Sequence, residues 1–228
     1  MDVEARLEVR LGRIDGRRTG FKRDGAPDDV RLVRLRALTV LLVLGTLAVP
    51  ASAAARPRLL VIGDSLAVGT KAPLAALLSD WRIRTVARVG RPLSEGMRVF
   101  RSLEPVPVVT AFSLFTNDDP RTISSLVSAV KESLDLQHGA ACAVWATVVR
   151  PALAGHSYSP VNRRLRKLSQ RAEFLGRLVI VPWAEKVARH PSWIGPDRVH
   201  PTSTGYQARA RLYAGAVRRC AATFAPED

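Results

Sequence analysis

The chain has 228 residues, 47% of them hydrophobic, and only two cysteines. That suits one domain with a sizeable core plus appendages, and excludes a miniature built on disulfides. The net charge is +15, and beyond residue 53 the chain holds 25 Lys and Arg against 13 Asp and Glu, so the folded part is basic in itself and presents either an anion-attracting surface or a solvated arginine-rich one.

Residues 1–29 carry seven basic and seven acidic side chains and no sustained apolar period. They read as a disordered extension, or as sequence ahead of a true start near Val30 or Val33. Residues 30–53 read as a secretory signal. Arg31, Arg34 and Arg36 form a basic stretch, residues 37–49 are an apolar run of 13, Pro50 breaks it, and Ala51-Ser52-Ala53 gives the small-residue cleavage pattern. A membrane-spanning helix needs about 20 apolar residues, so a cleaved signal is expected, with an uncleaved anchor as the alternative. No cysteine follows the run, which argues against a lipoprotein. The expectation is a secreted or extracytoplasmic domain over residues 54–228.

Within that domain strand and helix patterns alternate. Short apolar or alternating runs at 59–62, 82–87, 106–114, 141–149 and 178–181 predict strands. Residues 66–78, 93–103, 121–136, 160–174 and 204–222 predict helices. The 160–174 helix carries the densest basic cluster, Arg163, Arg164, Arg166 and Lys167, without an aromatic stacking partner. No nucleic-acid motif accompanies it, and no nucleic-acid partner is expected. Alternating elements of these lengths predict an α/β fold with helices on both faces of a parallel sheet of about five strands. Ligands of such sheets bind at the carboxyl ends of the strands.

Four groups of polar residues fall at those ends. Gly63-Asp64-Ser65-Leu66 follows the first strand, where a glycine permits a tight exit. Ser65 then opens a helix whose free N–H groups favour a developing oxyanion; the same residues also suit a plain helix cap. Asp197-Arg198-Val199-His200 lies between Pro196 and Pro201 and reads as loop. A serine hydroxyl needs a base, histidine serves near neutral pH, and a carboxylate fixes its tautomer. Asn117, in Thr116-Asn117-Asp118, and Gly90 can donate into the same pocket, or simply form turns. His138, His156 and His190 have no such placed partner.

On these residues the chain resembles the SGNH/GDSL hydrolases, whose four blocks occur here in order from about Arg58 to the end. Val89-Gly90-Arg91, Tyr158 to Asn162, Pro182-Trp183 and His190 to Trp193 make it similar to extracytoplasmic SGNH esterase and O-acetyltransferase domains. The resemblance implies a flavodoxin-like three-layer α/β/α fold. It also implies a triad of Ser65, His200 and Asp197, an oxyanion hole of Ser65, Gly90 and Asn117, and no cofactor or metal. The implied substrate is an O-acyl ester, small or part of a cell-wall polysaccharide, with transfer to a wall sugar or a degenerate binding module as alternatives. Arg91 and Phe115 are expected to meet substrate. Phe115 stands where the family has glycine, in a Gly-x-Asn-Asp block. A flavodoxin-like cofactor protein would share the topology without needing the Asp197/His200 pair. Cys142 and Cys220 are expected as a bridge or as two buried thiols. The protein is expected to be monomeric and to meet a membrane only through an uncleaved signal.

Overall fold

The computed structural model describes residues 56–103, 106–137 and 141–224; the expected extension, signal and cleavage site, and His138, lie outside them. Five strands are present: β1 (Arg58–Gly63), β2 (Arg82–Ala87), β3 (Val109–Ser113), β4 (Cys142–Ala146) and β5 (Leu178–Val181). Six α-helices accompany them: α1 (Ser65–Leu77), α2 (Leu93–Arg101), α3 (Ile123–Asp135), α4 (Ser159–Ser169), α5 (Trp183–Arg189) and α6 (Ser203–Ala222). The strands pair in parallel in the order β2-β1-β3-β4-β5. This is the doubly wound α/β arrangement expected from the sequence.

Alternation along the strands sorts the core into two layers. From β1, Leu60 and Ile62 join Phe112 of β3 and Trp145 of β4 in one cluster, closed by side chains of α2, α3 and α4. Leu59 and Val61 join Ala111 and Val144 in the other, closed by α1, α5 and α6. β1, β3 and β4 are central and nearly fully buried, whereas β2 at the edge has only partly covered side chains and exposes Arg82 and Arg84. Charge on an edge strand hinders pairing with a second chain. Cys142 of β4 and Cys220 of α6 are joined as a disulfide, with Cα atoms 5.7 Å apart. It ties the last helix to the start of β4.

Sequence and structure differ in a few places. The expected helix over 160–174 stops at Ser169 and resumes as a single 3-10 turn, Ala172–Phe174. α5 and the 3-10 turn Pro191–Trp193 were not anticipated. Among the described residues no helix is long and apolar enough to cross a membrane, and no cluster of His, Cys, Asp or Glu is suited to a metal.

Candidate active site

The start of α1 is fixed from below. Asp64 is completely buried and caps the helix, its Oδ1 accepting from the Leu66 N–H at 3.0 Å. Its own N–H donates to the Ser113 carbonyl of β3 (3.0 Å). Gly63 is required there, because a Cβ would stand 2.3 Å from that of Ala67. Ser65 is therefore the first residue of a helix whose N-terminus rests on two central strands. Its N–H has no acceptor within the helix.

Behind Asp64 lies a buried polar chain that sequence reasoning missed. Ser113 Oγ–H donates to Asp64 Oδ1 (3.3 Å) and accepts from Arg209 Nη2 (2.9 Å). Arg209 is 2% exposed, and its guanidinium lies against the faces of Trp183 and Tyr213, 5.2 and 5.0 Å from the ring centroids. The Tyr213 hydroxyl donates to the Phe112 carbonyl (2.9 Å). Burial pushes the Asp64 carboxyl above its ordinary value, and the Arg209 charge opposes that rise. A signal existed in the sequence: Gly205, Arg209, Tyr213 and Val217 recur every four residues along α6 and all are buried, so Arg209 falls on the apolar face of its helix.

The opposite half of the site is a turn at the surface. Asp197 Oδ1 accepts from the N–H groups of Val199 (3.0 Å) and His200 (2.9 Å). The Gly195 N–H donates to the His200 carbonyl (2.8 Å), and the Arg198 N–H to the Gly195 carbonyl (2.9 Å). Asp197 Oδ2 and His200 Nδ1 lie 2.6 Å apart, and His200 Nε2 and Ser65 Oγ lie 2.9 Å apart. An ionised carboxylate can only accept, so the imidazole carries its proton on Nδ1 and offers Nε2 to the hydroxyl. The His200 imidazole and the two N–H groups hold the Asp197 carboxyl down at about 2. Both side chains remain open to solvent, 47% exposed for His200 and 52% for Asp197.

The remaining expected residues sort into two kinds. Asn117 and Gly90 stand in the loops after β3 and β2. Asn117 Nδ2 donates to the Arg91 carbonyl (3.2 Å), tying the two loops together with one of its two amide hydrogens. Gly90 has φ +71°, the left-handed region that favours glycine, with open space where a Cβ would be. Asp118 caps α2 through the Leu93 N–H (2.9 Å), and Asn162 clasps both backbone groups of Val148 (2.7 and 2.9 Å).

Arg91 and Phe115 do not stand where substrate would meet them. The Arg91 side chain folds back under the sheet edge, 7% exposed, with its guanidinium donating to the carbonyls of Val86 (2.6 Å) and Gly63 (3.3 Å) and pairing with Glu95 (3.3 Å). Carbonyls at the ends of β1 and β2, together with Glu95, hold it away from any ligand. Phe115 is 1% exposed and packs its ring edge-on against Tyr158 in the core, at 6.5 Å. Its backbone has φ +77°, which explains why glycine suits this position in the similar family. Core packing of the ring holds the strained backbone in place.

No family model matches the chain, and no curated protein matches it. Solved structures do. The C-terminal catalytic domain of the peptidoglycan O-acetyltransferase OatA of Streptococcus pneumoniae, seen with a methylsulfonyl adduct, is 21% identical with a TM-score of 0.56, covering 73% of this chain and 93% of that one. The fold is that of the SGNH hydrolases. A protein of Slackia heliotrinireducens described as an SGNH hydrolase is 20% identical, with a TM-score of 0.57 and 70% and 98% of the two chains covered. A member of the lipolytic G-D-S-L family from Veillonella parvula is 14% identical, with a TM-score of 0.55 and coverage of 71% and 98%.

Proposed function

We propose that the protein is an SGNH-type serine esterase that cleaves small O-acyl esters outside the cytoplasm. The observation that carries this reading is the unbroken line from Asp197 through His200 to Ser65, at 2.6 and 2.9 Å. Ser65 Oγ attacks the ester carbonyl while His200 Nε2 takes its proton. Asp197 keeps the imidazole in the required tautomer and stabilises the imidazolium. The oxyanion is held by the N–H groups of Ser65 and Gly90 and by the second amide hydrogen of Asn117. His200 then returns its proton to the leaving alcohol, and water, activated by the same histidine, releases the acid from Ser65.

A second outcome replaces water by a sugar hydroxyl. Two observations favour keeping it: the likeness to the O-acetyltransferase domain, and the solvent exposure of His200 and Asp197, which leaves room for a bulky acceptor. The test is p-nitrophenyl acetate hydrolysis by the wild type, Ser65→Ala and His200→Ala, with and without a chitooligosaccharide acceptor. Turnover by the wild type and its collapse in both variants supports the esterase. Acetylated sugar among the products moves the reading to a transferase. Equal rates for all three proteins, no faster than buffer, would sink both.

A further inference from the structure

The turn that carries His200 also carries an arginine in an unfavourable backbone state. Arg198 has φ +58°, a region a side-chain-bearing residue occupies only where its surroundings impose it. The Asp197 carboxylate and the Gly195 carbonyl impose it here. The exposed Arg198 lines a cleft of about 360 Å³ that opens between this turn and the loop after β4. Arg150 lines the same cleft from that loop, and one of its guanidinium N–H groups donates to the carbonyl of Thr116, the neighbour of Asn117. The cleft is thus lined by the turn that carries His200, two residues from it, and is tied through Arg150 to the loop of the proposed oxyanion donor. Val149, Pro151, Pro191 and Ile194 supply apolar walls, and no acidic residue lines it.

Among the described residues neither cation is neutralised by a carboxylate; the same holds for other surface arginines such as Arg163 and Arg189, but these two share one cleft. Arg88, Arg91, Arg101, Arg166 and Arg218 each pair with a carboxylate. Two guanidiniums beside an apolar wall suit a planar or tetrahedral oxyanion, which each can hold with a fork of N–H donors. We infer that this cleft is a subsite for an oxyanion borne by the substrate, so that the enzyme prefers esters carrying a carboxylate or a phosphate to neutral ones. The inference rests on the esterase reading above and names the class of ester it acts on.

The test compares 4-acetoxybenzoate, its neutral methyl ester and 4-acetoxyphenyl phosphate, each rate divided by that ester's rate with hydroxide. Water cleaves each to acetate and the phenol. The wild type is expected to favour the anionic esters by about tenfold in kcat/KM, the order of one charge-assisted hydrogen bond at an open site. Arg198→Gln and Arg150→Gln each cut that ratio several-fold, and Arg198→Glu turns it toward the methyl ester. The ratio is the readout, so a loss shared by all three esters does not count. Whichever anion ranks higher identifies the oxyanion as carboxylate or phosphate. A ratio near one in the wild type, or one that survives both glutamine variants, overturns the subsite and leaves the esterase reading standing. Where no ester turns over, the esterase reading fails and calorimetric titration decides the subsite. Binding of 4-hydroxybenzoate that Arg198→Gln abolishes supports it, and equal binding of acid and methyl ester overturns it.

Discussion

The two halves of the site are held by opposite means. Ser65 stands on a buried foundation, with Asp64, Ser113, Arg209 and Tyr213 linked beneath it among fully covered side chains. Asp197 and His200 stand on the surface, about half exposed, and keep their places through hydrogen bonds within a few residues of one turn. The position of Ser65 is thus a property of the whole fold, and that of His200 a property of local sequence. Damage to the first should appear in stability and activity together. Damage to the second should appear in activity alone.

Asp197→Asn tests the local half and carries the largest expected effect. The amide oxygen can still accept from Val199 and His200, so the turn survives. The amide nitrogen would face His200 Nδ1 and force the proton to Nε2, the wrong tautomer. We expect kcat for p-nitrophenyl acetate to fall about 10⁴-fold, with the melting temperature little changed. A large drop in melting temperature would break the comparison. Arg209→Met tests the other half. It leaves the buried Asp64 carboxylate without its countercharge, a loss of about 3–5 kcal/mol, read by denaturant unfolding, with a fall in kcat as the start of α1 loosens. Unchanged stability would show that the foundation beneath Ser65 matters less than its burial implies.

Phe115→Gly sharpens the boundary between core and cleft. Relief of the left-handed backbone returns about 1 kcal/mol, against about 3–5 kcal/mol for emptying a buried phenylalanine site. A net loss of about 2–4 kcal/mol in unfolding free energy is expected, with the ratio of acetyl to butyryl ester turnover unchanged. A shift in that ratio would mean that the ring shapes the acyl site after all. Phe115 also marks the limit of what the sequence discloses. Its departure from the family glycine was legible, but the direction of its ring was set by a φ angle and a partner, Tyr158, 43 positions away. Arg91 was misjudged for the same reason, since a long side chain folds toward whatever acceptors tertiary structure brings within reach, here two strand-end carbonyls and Glu95. The alternation of strands and helices was legible because β1, β3 and β4 are runs of buried residues and β2 alternates charged with apolar or small residues. α5 was not, because its seven residues place only Trp183 and Val187 in the core, too few turns for a helical period to stand out.

The smallest expected effect concerns acid. Asp197 keeps its carboxyl at about 2 rather than 3.8, so its contribution to the folded turn is fully present above about pH 4 and is lost only as pH falls through about 2. Between pH 4 and 7 the carboxylate therefore stays charged. Carbon NMR of the Asp197 carboxyl checks the premise directly. A midpoint near 4 would mean that the His200 imidazole and the turn's N–H groups do not grip it in solution, and the base would then depend on something other than its own turn.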